Sequence, residues 1–335
     1  MIEEAISKLV GGTDLSRAEA ARAMTEIMSG DATSSQIAAF ITALAMKGET
    51  VDEITGCAEV MREKVTPVRC SKRPLIDTCG TGGDKSGTFN ISTATAIVAA
   101  AAGATVAKHG NRAASSRCGS ADVLEELGVR VDMPPEKVED CLEQAGIGFM
   151  FAPVFHKSMK YAAQPRRELG IRTVFNLVGP VTNPARADCQ VMGIFAPELT
   201  EPMAMVLGNL GATRAFVVWG AGLDEVTIAG PTRVSEVRDG RVRTYEITPE
   251  ELGVGTGSVD DLKGGDVKTN AAIITDILAG REGPPREIVV ANAGVGLVVA
   301  GLVSTFREGT DLARDAIDSG RARDKLEQLI QLSRA

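Results

Sequence analysis

Asp77-Thr78-Cys79-Gly80-Thr81-Gly82-Gly83-Asp84-Lys85-Ser86-Gly87-Thr88-Phe89-Asn90-Ile91-Ser92-Thr93 follows the apolar run Leu75-Ile76 and leads into an alanine-rich stretch. A β-prone run, a glycine loop and a helical segment in that order are the unit of an α/β fold with a parallel sheet, where ligands bind beyond the carboxyl ends of the strands. Glycines let a backbone approach a phosphate closely. The Asn, Ser and Thr that open the helix add donors where the helix dipole already favours an anion. The loop is not a Walker A motif, because Asp84 stands where that motif has the Gly before its Lys-Ser, and Lys85 removes the last Gly of GxGxxG. On its glycines alone it fits a plain turn with helix caps equally well.

Downstream, β-rich runs alternate with helical ones, the mark of crossover connections. The runs are Thr105-Val106-Ala107, Ile147 to Phe151, Val191 to Phe195, Phe216 to Trp219 and Ile288 to Val290. Helical patterns cover Ala121 to Leu127, Glu136 to Ala145, Leu199 to Leu210 and Thr269 to Ala279. Asp239-Gly240, inside Glu236 to Arg243, predicts a hairpin and hence an antiparallel excursion. Ile288 to Phe306 approaches transmembrane length, but Asn292, Gly294, Gly296, Gly301, Ser304 and Thr305 favour a buried strand, a loop and a helix start.

Upstream, three capping boxes, Ser16/Glu19, Thr33/Gln36 and Thr50/Glu53, each precede apolar residues at helical spacing, with Gly30 and Gly48 at helix ends. Residues 1–70 therefore read as a small all-helical domain. Residues 74–335 read as a large α/β domain with a mostly parallel central sheet.

The length of 335 residues agrees with two domains. Lys and Arg number 36 against 44 Asp and Glu, a formal charge of −8, and aromatics are 4%, so neither the charge nor the stacking platforms of a nucleic-acid binder are present. Six cysteines without a CxxC pair and two histidines argue against structural zinc and a disulfide framework, and suit a reducing cytosol. The acidic start Met-Ile-Glu-Glu, with no apolar run behind it, predicts neither export nor membrane attachment.

Three further segments follow predicted strands or helices. Lys108 to Ser120 gathers Lys108, Arg112, Arg117, His109, Asn111 and hydroxyls between glycines, dense in anion donors for an acidic chain, though a solvated polar loop is the plain alternative. Asp224-Glu225, in Gly220 to Glu225, sets two carboxylates side by side; alone that is a common surface turn, and beside two polyanion loops it suits Mg²⁺. Arg166 and Arg167, before Gly170, sit on a helical pattern that does not by itself say which faces a ligand.

Together these elements resemble the anthranilate phosphoribosyltransferases of tryptophan biosynthesis, within a fold group that includes the pyrimidine-nucleoside phosphorylases. The matching motifs are GTGGD at Gly80 to Asp84, TFNIST at Thr88 to Thr93, KHGNRA at Lys108 to Ala113, GSAD at Gly119 to Asp122, RxxLGxRTxFNxxGPxTNPA from Arg166 to Ala185 and GLDE at Gly222 to Glu225. Their combination is specific where each alone is not. The resemblance implies helices from about 164–186 packing onto the N-terminal helical domain, a cleft between the domains, and a homodimer through the helical domain.

It further implies that 5-phosphoribosyl 1-diphosphate lies against Gly80, Gly83, Asp84, Thr88, Asn90, Ile91, Ser92, Thr93, Lys108, His109, Gly110, Asn111, Arg112, Ala113, Ala114, Ser115, Ser116 and Ser120. Anthranilate is implied near Gly80, His109, Asn111 and Arg166, and Mg²⁺, as two ions per subunit, at Ser92, Asp224 and Glu225. Lys108, Asn111 and Arg166 are the expected catalytic set. Lys157 departs from the Pro that many relatives carry after the His of the FAPxxHP stretch.

The residue types suit that chemistry. Diphosphate leaving an anomeric carbon needs electrostatic stabilisation, and an arylamine, neutral at pH 7, needs no strong base to attack. The competing readings are a nucleoside phosphorylase, against which stand Asn111, the TFNIST run and Asp224-Glu225, and a silent nucleic-acid-binding paralogue, against which stands the net charge.

Overall fold

The computed structural model describes residues 1–84, 86–113 and 117–335. Its first four helices are α1 (Ile2–Val10), α2 (Arg17–Ser29), α3 (Ser34–Lys47) and α4 (Val51–Lys64). Each of the three capping boxes closes reciprocally at the start of α2, α3 and α4, and Gly30 ends α2 in the left-handed region at φ 84°. The additional helix, α1, has Met1 as its N-cap and no side-chain capping bond, so it carries no start signal in the sequence; buried Ile2, Ala5 and Leu9 dock it instead.

The strands are β1 (Leu75–Gly80), β2 (Thr105–Gly110), β3 (Ile147–Phe151), β4 (Cys189–Gly193), β5 (Arg214–Gly220), β6 (Thr232–Arg238) and β7 (Arg241–Ile247). They form one sheet in the order β3-β2-β1-β4-β5-β6-β7. The first five run parallel and the last two antiparallel, joined by Asp239 and Gly240, both at positive φ as a tight hairpin requires. The chain proceeds outward from β1 to β3 and returns to place β4 on the other side of β1. The crevice at the carboxyl ends of β1 and β4 is thus the topological switch point where α/β sheets bind ligands.

Helices α5 (Ile91–Ala101), α6 (Ser120–Glu126), α7 (Pro135–Ala145), α8 (Ala152–Phe155), α9 (Lys160–Leu169), α10 (Val174–Val178) and α11 (Thr200–Asn209) connect the parallel strands. The C-terminal third adds α12 (Pro249–Leu252), α13 (Val267–Leu278), α14 (Pro284–Val299), α15 (Phe306–Asp318) and α16 (Arg321–Arg334). None of the described helices is long and apolar enough to cross a membrane.

Two expectations are corrected here. Ile288 to Val290 is not a strand; it lies inside α14, which is buried almost all round and so shows a continuous apolar run that periodicity cannot assign. Gly294 of α14 lets Gly309 and Thr310 of α15 pack directly on its backbone. Secondly, β1 and β2 run further than Leu75-Ile76 and Thr105 to Ala107. In-register pairing carries β1 along β4 to Gly80, and β2 along β3 to Gly110, so Lys108 and His109 are strand residues rather than loop residues.

Two apolar cores lie on the molecule. One includes Ile76, Ile97, Val106, Phe149, Val218 and Val290, uniting sheet residues with α5, α7 and α14. The other joins the N-terminal helices, through Ile27, Phe40 and Ile54, to Val174, Phe175 and Val178 of α10, to Met192 and Val217 of the sheet, and to α11.

Candidate active site

The end of β1 carries Thr78, Cys79 and Gly80, and the glycine loop turns back over it with Gly82 and Gly83 at φ 66° and 74°. Three elements hold this loop. The Gly82 N–H donates to Asp224 Oδ2 at 2.8 Å. A guanidinium N–H of Arg172, between α9 and α10, donates to the Gly83 carbonyl, and the Arg172 guanidinium lies 4.1 Å from the Phe195 ring centroid. The Phe195 N–H donates to Thr81 Oγ1 at 3.2 Å.

Asp224 and Glu225 sit in the turn after β5, folded back across the ends of β1 and β4. A Cβ at Gly80 would collide with the Asp224 carboxylate and one at Gly193 would overlap the Asp224 carbonyl, so glycine at both strand ends makes room for the acidic pair. Burial and then neighbouring Asp84 push the Asp224 carboxyl up to about 7; burial, then Asp224, push Glu225 well above its ordinary range. Two half-buried carboxylates that resist ionising beside one another suit a divalent cation between them and the ligand. Among the described residues no three His, Cys, Asp or Glu side chains close into a metal cage.

Beneath the loop lies Lys108, 3% exposed on β2. Its Nζ donates to the Thr78 carbonyl at 2.6 Å and to Ser92 Oγ, at the start of α5, at 3.3 Å. Burial lowers its pKa, opposed by Asp77, Cys79 and Glu225. Asp77 is fully buried, with its carboxyl pushed up by desolvation to about 6; it accepts from the His109 N–H at 3.2 Å and from Asn183 Nδ2 at 2.7 Å.

His109 stacks obliquely on His156, ring centroids 5.0 Å apart. Burial lowers both pKa values, His156 to about 4, and the Nε2 of each is buried without a partner. Each ring thus leaves one buried nitrogen unengaged.

The rest of the second loop is organised on Asp122. Its carboxylate accepts from the Ala113 and Gly119 N–H groups at 3.0 and 2.9 Å, and from Arg112 at 2.8 Å. Arg112 also reaches Glu125 at 2.8 Å, so its guanidinium is engaged by two carboxylates. Asn111 Oδ1 accepts the Arg112 N–H, and the Asn111 carbonyl accepts from Ser120 Oγ. Ile91 is buried, Thr93 Oγ1 is buried without a partner, and Thr88 pairs as an isolated bridge with Lys263. Ala114, Ser115 and Ser116, together with Lys85, lie outside the described residues.

Arg166, on α9, is half-buried with its guanidinium 5.0 Å from the Phe175 ring centroid, and burial lowers its pKa. Among the described residues no carboxylate pairs with it, whereas Arg167 is exposed on the neighbouring face.

The structure thus gathers Gly80, Gly82, Gly83, Ser92, Lys108, Asp224 and Glu225 at the switch point. It adds Asp77, Asn183, His156, Asp122 and Arg172, which the residue-type reading did not single out. Arg172 and Asn183 stand within the long motif from Arg166 to Ala185, and His156 directly precedes Lys157; Asp77 gives no signal beyond its place in the first loop.

Comparison with known proteins agrees with this fold. A family model described as the helical bundle domain of a glycosyl transferase family matches residues 3–65, and the a/b domain of the same family matches residues 72–323. The anthranilate phosphoribosyltransferases of Moorella thermoacetica and Acetivibrio thermocellus are each 55% identical, over 98% and 99% of this chain and 98% and 97% of their own. The crystal structure of the Thermus thermophilus enzyme superposes with a TM-score of 0.94 at 47% identity, covering 99% of both chains. The Saccharomyces cerevisiae enzyme in complex with 5-phosphoribosyl 1-diphosphate and Mg gives 0.90 at 27% identity, covering 99% of this chain and 98% of that one. With a full-length match in sequence and in fold, and a glycine loop and an acidic pair set around one crevice, the chain belongs to the anthranilate phosphoribosyltransferase family.

Proposed function

We propose that this chain transfers the 5-phosphoribosyl group from 5-phosphoribosyl 1-diphosphate to the amine of anthranilate, giving N-(5-phosphoribosyl)anthranilate and diphosphate. The observation that carries this reading is the half-buried Asp224-Glu225 pair seated against the glycine loop, a cation site beside a polyanion cradle. Mg²⁺, as two ions per subunit held through Asp224, Glu225 and Ser92, neutralises diphosphate charge when bound. The Saccharomyces cerevisiae complexes with Mg and with 4-fluoroanthranilate support the metal and the acceptor class.

The donor's phosphates lie along the glycine-loop N–H groups and the start of α5, with Lys108 fixing Ser92 beneath them. As the ribose C1–O bond breaks, its electron pair goes to the departing diphosphate. The anthranilate nitrogen, its lone pair free at neutral pH, bonds to C1 from the opposite face and sheds its surplus N–H proton to the departing diphosphate. Arg166 holds the acceptor's carboxylate, and His109, His156 and Asn111 wall the acceptor pocket. Closure of the helical unit on the α/β body excludes water and sets the two reactants in line. We place the enzyme in the cytosol as a homodimer through its helical unit, whose α1 and α3 expose Val10 and Met46 at 75% and 83%.

Loss of anthranilate fluorescence tests the reaction. It is expected with 5-phosphoribosyl 1-diphosphate and Mg²⁺ together and with neither alone; phosphate-dependent cleavage of a pyrimidine nucleoside in its place overturns the assignment. Asp224→Ala with Glu225→Ala is expected to raise the Mg²⁺ concentration needed for half-maximal rate and to lower turnover. A Mg²⁺ titration indistinguishable from that of the unaltered chain would remove the pair from the metal site.

Arg166→Ala is expected to raise the anthranilate KM roughly ten- to a hundredfold, for a lost charge-assisted bond of about 1.5–3 kcal/mol, and to leave the donor KM nearly unchanged. Arg167→Ala is expected to do little, since its side chain faces solvent. Equal effects from the two would reassign the carboxylate contact.

A further inference from the structure

We infer that Asn270, which belongs to none of the site loops, is a positioning residue for the phosphoribosyl donor, acting through the side-chain amide of Asn90. Asn270 lies near the start of α13 and is 2% exposed. Its Oδ1 accepts the Gly265 N–H at 2.8 Å, and its Nδ2 donates to Asn90 Oδ1 at 2.9 Å. With its oxygen occupied, Asn90 donates from Nδ2 to the Cys118 carbonyl at 3.1 Å. The relay begins at a backbone N–H, which can only donate, and ends at a backbone C=O, which can only accept. Both amides between them therefore have a single orientation.

The relay ties together what the donor needs together. Asn90 is the N-cap of α5, yet its side chain makes no capping bond; it is spent instead on Cys118, at the far end of the loop that follows β2. One amide thus joins the two loops that hold the donor, and Asn270 decides which way that amide faces. The segment before α13 is laced to the same loop, with the Phe89 N–H donating to the Leu262 carbonyl at 3.1 Å and the Gly264 N–H to the Gly87 carbonyl at 2.9 Å. The inference rests on the proposed donor site at Asn90.

Asn270→Asp tests it with almost no change of shape. A carboxylate still accepts from Gly265 but cannot donate to Asn90, whose amide must turn and set its oxygen against the Cys118 carbonyl. The donor KM is expected to rise on the order of tenfold, as for one hydrogen bond exchanged for a repulsion, while the anthranilate KM at saturating donor stays within about twofold. Asn270→Ser, which withdraws the bond without turning Asn90, is expected to give a smaller rise and serves should the aspartate variant fail to fold.

The deciding measurement is the double-mutant cycle with Asn90→Ala. In that background Asn270→Asp is expected to add nothing to the donor KM. An undiminished rise there means that the new charge or a general loosening acts directly, and the inference falls. An Asn90→Ala variant with an unchanged donor KM removes Asn90 from the donor site, and with it the proposed reading of that loop.

Discussion

Lys108→Met is expected to lower turnover by about 10²- to 10³-fold while the chain stays folded, a loss of roughly 3–4 kcal/mol of transition-state stabilisation. Lys108 is 3% exposed, and its Nζ is fixed by the Thr78 carbonyl and Ser92 Oγ. Its charge therefore needs no reorganisation when diphosphate begins to leave. Methionine fills a similar volume without the charge, so packing on β2 persists. Ser92 then loses its donor, and Asp77 and Glu225 lose the cation that opposes their desolvation.

Arginine should not rescue, because a planar fork cannot be seated where a compact ammonium reaches a carbonyl and a hydroxyl at once. Steady-state rates with saturating substrates, alongside thermal melting, decide the matter. Turnover within threefold of the unaltered chain in Lys108→Met would show that the buried charge is structural.

Gly193→Ala is expected to cost about 3 kcal/mol of folding stability or more, and to raise the Mg²⁺ requirement of what remains folded. The added methyl would overlap the backbone carbonyl of Asp224, and that backbone has nowhere to go. The loop is pinned on both sides: Gly82 bonds the Asp224 carboxylate, Gly220 and Leu223 bridge reciprocally, and the Val226 N–H donates to Asn292 Oδ1 at 3.0 Å. Relief requires the acidic pair to lift from the crevice, which links the stability loss to the metal response. Urea unfolding read together with a Mg²⁺ titration measures both. A variant that loses less than about 1 kcal/mol and titrates normally would show that the turn yields freely.

Signals that live within a few residues of one another were legible beforehand. Capping boxes placed α2, α3 and α4, because the bond that starts each helix spans three residues. Asp-Gly placed the hairpin between β6 and β7 for the same reason. Helix α14 does not show in the sequence because a segment buried on all sides loses the periodicity that separates helix from strand. Lys108 reads from the sequence as a loop cation, since nothing local says that β2 continues beneath the glycine loop. The pairs that set the site, Asp77 with Asn183 and Asn90 with Asn270, join residues 106 and 180 positions apart, and only the closed sheet brings them together.

The second apolar core has a consequence for anyone who would cut or recombine this chain. The family model for the helical bundle ends at residue 65, yet Ala162, Val174, Phe175 and Val178 belong to the same core as Ile27, Phe40 and Ile54. The bundle is thus discontinuous in the gene. A protease nick between residues 66 and 74 should release no free bundle, because α9 and α10 still grip it from the other side of the cut. A chimaera that exchanges residues 1–65 alone would set a foreign surface against α9, α10 and α11. A graft that respects the packing carries residues 160–178 along with the first 65, and is matched to Met203 and Leu207 on α11.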